Sequence, residues 1–289
     1  DNEQALDYYL RSLKISEMNG NKIMIGNSFN RIGLVYLVKQ DYSKSLEYFN
    51  RSLIIQEEIG DRKGMAFTFY NLAFLYGSSM KNNDKKLEYF SRALKIYEEL
   101  DDKYGIGNSF SGLSVVFANQ GDIEKSLYFA KKSLDMRKDF GSRDGMSTSY
   151  NNIGGLYWFL GDYDKALLFL FHSLQIDEEL GKKSHMGVVL INIANTYFDI
   201  GEYDKSLDFY NRSLKIRKEL SNTHRHSVGH LSVFLYRTYK KMGIEYDLNE
   251  IYTFLESDEY LDDYYNFTLY QVLEDTSYLD TAYNQIQEK

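Results

Sequence analysis

The sequence predicts an all-α protein built from repeated pairs of helices. Three observations carry that reading. The 289 residues contain no proline, although ordinary usage of about 5% would supply roughly 14, and proline interrupts helix interiors and strand ladders alike. The sequence repeats itself about every 40 residues. Each repeat carries two apolar stripes at the i, i+3, i+4, i+7 spacing of a helix, with a glycine-centred break between them.

The period is read from several columns at once. Leu6, Leu46, Leu87, Leu127, Leu167 and Leu207 recur at steps of 40 or 41. The residue before each is small (Ala5, Ser45, Ser126, Ala166, Ser206), with Lys86 the exception. Seven residues later stand Ser12, Ser52, Ala93, Ser133, Ser173 and Ser213. Upstream, an aromatic recurs at Tyr36, Tyr76, Phe117, Tyr157 and Tyr197, three residues after Gly33, Ala73, Ser114, Gly154 and Ala194. A large apolar residue opens each unit: Ile25, Met65, Ile106, Met146 and Met186.

The elements follow in order. A lone second helix occupies about 1–19, and five full pairs occupy about 22–60, 62–101, 103–141, 143–181 and 183–221. A degenerate helix follows at 223–241. Within a pair, Gly121-Asp122, Gly161-Asp162 and Gly201-Glu202 mark the break, and Gln40-Asp41 is a weaker form. Glycine suits the residue after a helix and aspartate the cap of the next. Gly60, Gly141 and Gly181 end second helices. One extra residue near Met80-Lys81-Asn82-Asn83 fits a turn. Residues 244–289 lose the period but keep apolar stripes (Leu248, Ile251, Leu255; Phe267, Tyr270; Leu279, Ala282, Ile286), which read as a helical C-terminal cap. The first residues are already in helical pattern and the last carry no stop signal, so the chain reads as a piece of a longer protein.

Ile153-Gly154-x-x-Tyr157, followed by Gly161-Asp162-Tyr163-Asp164-Lys165-Ala166, Phe169 and Ser173, resembles the tetratricopeptide repeat (TPR) over about residues 1–243. The period is 40 here against the usual 34, and the proline that commonly closes the second helix is missing. The longer helices and the Gly60-Asp61-Arg62-Lys63-Gly64 joint resemble the 40-residue subclass of LGN/Pins-type adaptors and of arrays ahead of bacterial signalling output domains. The resemblance implies an all-α, right-handed superhelical solenoid. It also implies a non-catalytic module that holds a protein or peptide segment in a concave groove. The alternative reading is a ligand-responsive sensor driving a cyclase, kinase or transcription-regulator output beyond this chain.

Composition narrows the function classes. Without cysteine there is no disulfide scaffold, thiolate zinc site or cysteine nucleophile. A net charge of −8 disfavours nucleic acid as a partner. No apolar run approaches the ~18 residues of a membrane span. No phosphate-binding glycine loop or nucleophile elbow is present, so neither an enzyme nor a cofactor is expected. The cytoplasm is the expected compartment, and the oligomeric state is left open. His224, His226 and His230 cluster, but no carboxylate completes a metal set; His172 and His185 stand alone in sequence. The acidic runs Glu57-Glu58, Glu98-Glu99 and Asp177-Glu178-Glu179 read as solvated helix ends. Arg11, Arg51, Arg92 and Arg212 follow an acid by four residues, the spacing of helical ion pairs.

The resemblance implies that the first helix of each pair lines the groove. Two residues before its small position stand Arg31, Asn71, Gly112, Asn152 and Asn192, with Asn195 three residues beyond the last. One turn earlier are Asn27, Phe67, Asn108, Thr148 and Val188. In LGN/Pins-type adaptors the matching asparagines bond the backbone of an extended peptide. An amide donates and accepts at once, so the same side chains could equally bridge adjacent first helices. On the peptide-binding reading, Arg31 pairs a carboxylate, Phe67, Phe74 and Phe159 form apolar pockets, and Asp199 favours a basic residue.

Overall fold

The computed structural model describes residues 2–79, 82–220 and 225–245. Among the described residues twelve helices run in order: α1 (Asn2–Met18), α2 (Lys22–Val38), α3 (Tyr42–Ile59), α4 (Arg62–Ser79), α5 (Asn83–Glu99), α6 (Lys103–Asn119), α7 (Ile123–Asp139), α8 (Arg143–Phe159), α9 (Tyr163–Leu180), α10 (Lys183–Ile200), α11 (Tyr203–Glu219) and α12 (Arg225–Met242). No strand occurs among the described residues. The chain divides into two compact units, Asp1–Ser142 and Arg143–Lys289. The expected stripes of the C-terminal cap, His224 and the Met80-Lys81 part of the extra turn lie outside the described residues, as do the His226 and His230 side chains.

The helix limits have local causes. Asn21, Asp41, Asn82, Asp102, Asp122 and Asp162 each accept a hydrogen bond from the backbone N–H three residues on, satisfying a donor that the helix start leaves open. Lys182 and Glu202 hold the same position without a side-chain cap. Gly60 and Gly181 close α3 and α9 in the left-handed region. Gln40 and Asp101 adopt it too, at φ of 60° and 51°, where a side chain is uncommon.

Within a hairpin the two helices approach closely. A Cβ on Gly33 would stand 2.8 Å from the Phe49 ring and on Gly154 2.7 Å from Leu170; between hairpins α6 comes as close to α5, where a Cβ on Gly112 would stand 2.5 Å from Phe90. The periodic serines do more than stay small. Ser52, Ser133, Ser173 and Ser213 each donate to a carbonyl of the preceding helix, at 2.8–2.9 Å. The periodic aromatics stack on an aromatic of the following helix: Tyr36 on Tyr48, Tyr76 on Tyr89, Phe117 on Phe129, Tyr157 on Phe169 and Tyr197 on Phe209, with centroids 5.3–5.6 Å apart. A lysine ammonium covers each first ring: Lys44, Lys85, Lys125, Lys165 and Lys205, at 4.6–5.4 Å.

Each unit has its own buried centre. In Asp1–Ser142 it gathers Phe49, Leu72, Leu75, Tyr76 and Ile96, with Phe90 and Leu113 beside them. In the second unit it gathers Leu170, Leu190, Ile193, Tyr210, Leu231 and Phe234. The repeat that departs from the small-residue column compensates in size. Lys86 is buried there, and its stem fills the space opposite Gly77, where a Cβ would stand 2.9 Å from the lysine Cδ. Burial lowers the affinity of its ammonium for a proton.

Candidate functional site

The first helices α2, α4 and α6 of the Asp1–Ser142 unit enclose a cavity of about 760 Å³. Its α2 side carries Ile23, Asn27 and Arg31. Phe67 and Tyr70 come from α4, Tyr97 from the end of α5, and Tyr104 and Asn108 from α6. Asp61, Lys63 and Asp102 line it where α4 and α6 begin. The size lies within the usual range for ligand pockets.

Local structure fixes most of these groups. Asp61 and Asp102 accept the backbone N–H groups of Gly64 and Gly105, and Lys63 pairs with Asp102 at 3.2 Å. Glycine at 105 lets the Tyr97 ring press against the start of α6. Burial pushes the Tyr70 hydroxyl up to about 12 and raises Tyr97 as well, so both stay protonated and able to donate. Asn108 Oδ1 accepts from Arg137 Nη2 at 3.2 Å. Arg31 is exposed, with its guanidinium 5.6 Å from the centre of the Phe67 ring.

The expected groove residues separate into groups. Arg31 and Phe67 line the cavity together. Asn71 does not open onto it: it is 5% exposed, and its amide donates to Asn30 Oδ1 at 2.9 Å, bridging α4 to α2. Asn30 in turn donates to Thr68, which donates to Gln56, making a buried chain through three helices. Asn192 likewise donates to Asn151 at 2.9 Å, bridging α10 to α8. These two amides therefore serve helix-to-helix contacts, the alternative use of the column. Asn195 accepts from the Tyr210 hydroxyl. Asn152 is half-buried and makes no side-chain hydrogen bond among the described residues. Phe74 packs edge-on against Tyr70 and Phe90. Phe159 is 67% exposed, and Asp199 accepts the Trp158 indole N–H at 2.7 Å.

The acidic runs are not uniformly solvated. Glu58, Glu99 and Glu179 pair with Lys22, Arg62 and Arg143 at the start of the first helix of their own hairpin. Asp177 is fully buried; it accepts from Ser147 at 2.6 Å and meets His185 Nδ1 at 2.6 Å. His185, alone in sequence, is thus tied to α8 and α9. The three side chains do not make a hydrolytic triad. Ser147 is buried, donates to the aspartate, and lies 3.3 Å from the same Nδ1 that faces Asp177, whereas a triad serine bonds the opposite ring nitrogen. Among the described residues no cluster of three metal-ligating side chains occurs, and no helix is long and apolar enough to cross a membrane.

Tyr70, Tyr97 and Tyr104 were not singled out by the sequence, in which they are three of 27 tyrosines. Lys63 and Asp61 stand in the joint already noted between repeats.

A family model described as tetratricopeptide repeat matches residues 64–139 and 142–222. No curated protein matches the sequence. Among solved structures, a Rap protein complexed with Competence and Sporulation Factor is similar at TM-score 0.69 and 18% identity, over 95% of this chain and 75% of that one. The apo form of RapI gives 0.71 at 16% identity, over 91% and 99%. The apo quorum sensor NprR from B. thuringiensis gives 0.66 at 14% identity, over 99% and 87%. At such identities the likeness concerns the fold, and the family rests on the sequence match, which spans more than half of the chain. This protein belongs to the tetratricopeptide repeat family.

Proposed function

We propose that the chain is a non-catalytic module that holds a peptide or protein segment in the groove of its Asp1–Ser142 unit. Repeats of this family act as protein-interaction or peptide-binding modules. The observation that carries the reading is the cavity between α2, α4 and α6, which combines aromatic walls with open polar groups. Aromatic side chains supply contact area at small entropic cost, and a few polar groups fix orientation. The similar Rap protein in complex with Competence and Sporulation Factor and the quorum sensor NprR favour a regulatory use of that binding. In that use the segment would bias an output outside this chain.

Selection of phage-displayed random peptides on the full chain tests the site. Chosen peptides should bind Phe67→Ala and Tyr104→Ala at least about tenfold more weakly by calorimetry, since a truncated aromatic anchor costs ~2 kcal/mol or more. Asp199→Asn, in the other unit, should bind as the parent does. Unchanged affinity in both aromatic variants would refute the groove as the site.

A further inference from the structure

The outer faces of the second helices follow one pattern, and α9 breaks it. In α3 and α5 an acid and an arginine one turn on are paired across the exposed face, Glu47 with Arg51 and Glu88 with Arg92. In α7 the matching positions hold Tyr128 and Lys132, whose ammonium lies 5.8 Å from the ring centre, and in α11 they hold Asp208 and Arg212. In α9 they hold Leu168 and His172, with Phe171 between them. From Ala166 to Ile176 this helix carries no Asp, Glu, Lys or Arg, although Leu168 is 54% and Phe171 37% exposed. A single exposed apolar residue is ordinary. These two lie three residues apart, on one face of the helix, and Phe171 meets the Phe209 ring edge-on at 5.8 Å, so the patch reaches α11. Its rim is acidic. Asp164 stands one turn before Leu168, and Asp204 and Asp208 stand on the exposed side of α11; none of the three forms an ion pair among the described residues. The bases beside them are engaged, Lys165 by Asp162, Lys205 by Glu202 and Arg212 by Glu178.

We propose that the outer face of α9, with the adjoining edge of α11, docks a basic amphipathic helix of a partner protein. Its apolar side covers Leu168 and Phe171, and its lysines or arginines meet Asp164, Asp204 and Asp208. Charge selects this occupant. A second copy docked through the same face would set these acids against one another, and like charges across an interface are costly. An anionic lipid surface attracts bases, not acids. The shape selects a helix, because the Leu168–Phe171 ridge runs along α9 at the spacing by which helices pack, ridge into groove. The site lies in the second unit, outside the groove of Asp1–Ser142, and does not depend on it.

Fluorescence anisotropy on the full chain tests this with a labelled peptide of about five helical turns, leucine on one face and lysine on the other. One control replaces lysine by glutamate, and a second scrambles the leucines around the helix. The leucine–lysine peptide should bind at least about tenfold tighter than either control. The triple change Leu168→Glu, Phe171→Asn and His172→Arg gives α9 the residues that α3 carries at Glu47, Asn50 and Arg51, so it should melt as the parent does. It should weaken binding about tenfold or more, the loss expected when a central apolar anchor is removed. If it melts lower, Leu168→Glu alone, at an exposed position, makes the same comparison. Asp164→Asn with Asp208→Asn should weaken binding several-fold and flatten its salt dependence, and Phe67→Ala should leave it unchanged. Equal binding of the scrambled peptide, or full binding to the altered α9, would overturn the site and leave only attraction by net charge. A dimer of the full chain in sedimentation, lost in the triple variant, would overturn it in favour of a second copy. Co-sedimentation with phosphatidylcholine vesicles, lost in the same variant, would overturn it in favour of lipid.

Discussion

Asp41, Asp122 and Asp162 show how single side chains set the break between the two helices of a repeat. Each caps a second helix and meets the lysine three residues on. That lysine and the backbone N–H it carries hold all three carboxyls below their ordinary range. A carboxyl lowered by folding stabilises the fold above its unfolded value, near 3.9, and the contribution is lost as pH falls through the folded value. The melting temperature should therefore hold from pH 7 to 5 and drop below about pH 4. A variant with Asp122 and Asp162 both changed to Ala should melt lower at pH 7, with its deficit shrinking in acid. A deficit independent of pH would remove the caps as its cause. Two glycines make the opposite pair. Gly112→Ala drives a methyl into the buried Phe90 ring and should cost about 1–3 kcal/mol in urea unfolding. Gly155→Ala meets nothing within 4 Å and should gain about 0.5–1 kcal/mol from helix propensity alone.

Between helices, most of the architecture was legible in the sequence and most of the hydrogen bonding was not. Gly121, Gly161 and Gly181 fall at helix ends with positive φ because a break in an apolar stripe and a left-handed residue are both local facts. Ser52 or Ser133 reads in sequence only as small, because its acceptor lies 26 residues away on another helix. His185 and Ser147 are 38 residues apart and meet only once α8 and α10 pack on α9. Asn71 shows the limit most clearly. An amide suited to a peptide backbone is equally suited to another amide, and the partner that takes it, Asn30, sits one residue before the matching position of the preceding repeat. Asn27 and Asn108 lay in a neighbouring row of the same face and became the open groups. Asn71→Ala should destabilise the fold by about 1–3 kcal/mol, because Asn30 Oδ1 loses its buried donor. Urea unfolding would measure this, and a neutral result would mean that water replaces the amide.

At the scale of the whole chain, each unit carries its own buried centre and the cavity belongs to the first alone. In repeat proteins stability is a sum over neighbouring repeats, so three hairpins and a leading helix form a self-sufficient stretch. Residues 1–142 made alone should give a helical circular dichroism spectrum and a cooperative melt. They should also bind whatever peptide the full chain selects within about threefold. A broad, non-cooperative melt would show that the second unit is needed for the first to fold. The tyrosines of the groove became visible only at this scale, since Tyr70, Tyr97 and Tyr104 come from three helices and share no column of the repeat.

Four hairpins share a feature that the fifth lacks. A base in the first turn of one helix is tied to an acid in the last turn of the next by Lys22–Glu58, Arg62–Glu99, Arg143–Glu179 and Lys183–Glu219. In α6–α7 the same register brings Lys103 opposite Asp139, one methylene shorter, and no ion pair forms among the described residues. Exposed pairs are worth little each, but the ends of helices are where little is needed to change the rate of opening. The last-turn amides of α7 should exchange with deuterium several-fold faster than those of α3, α5, α9 and α11, and added salt should narrow the gap. The third hairpin, which places Tyr104 and Asn108 at the groove, would then fray at its free end sooner than the others while its groove-lining turns stay protected.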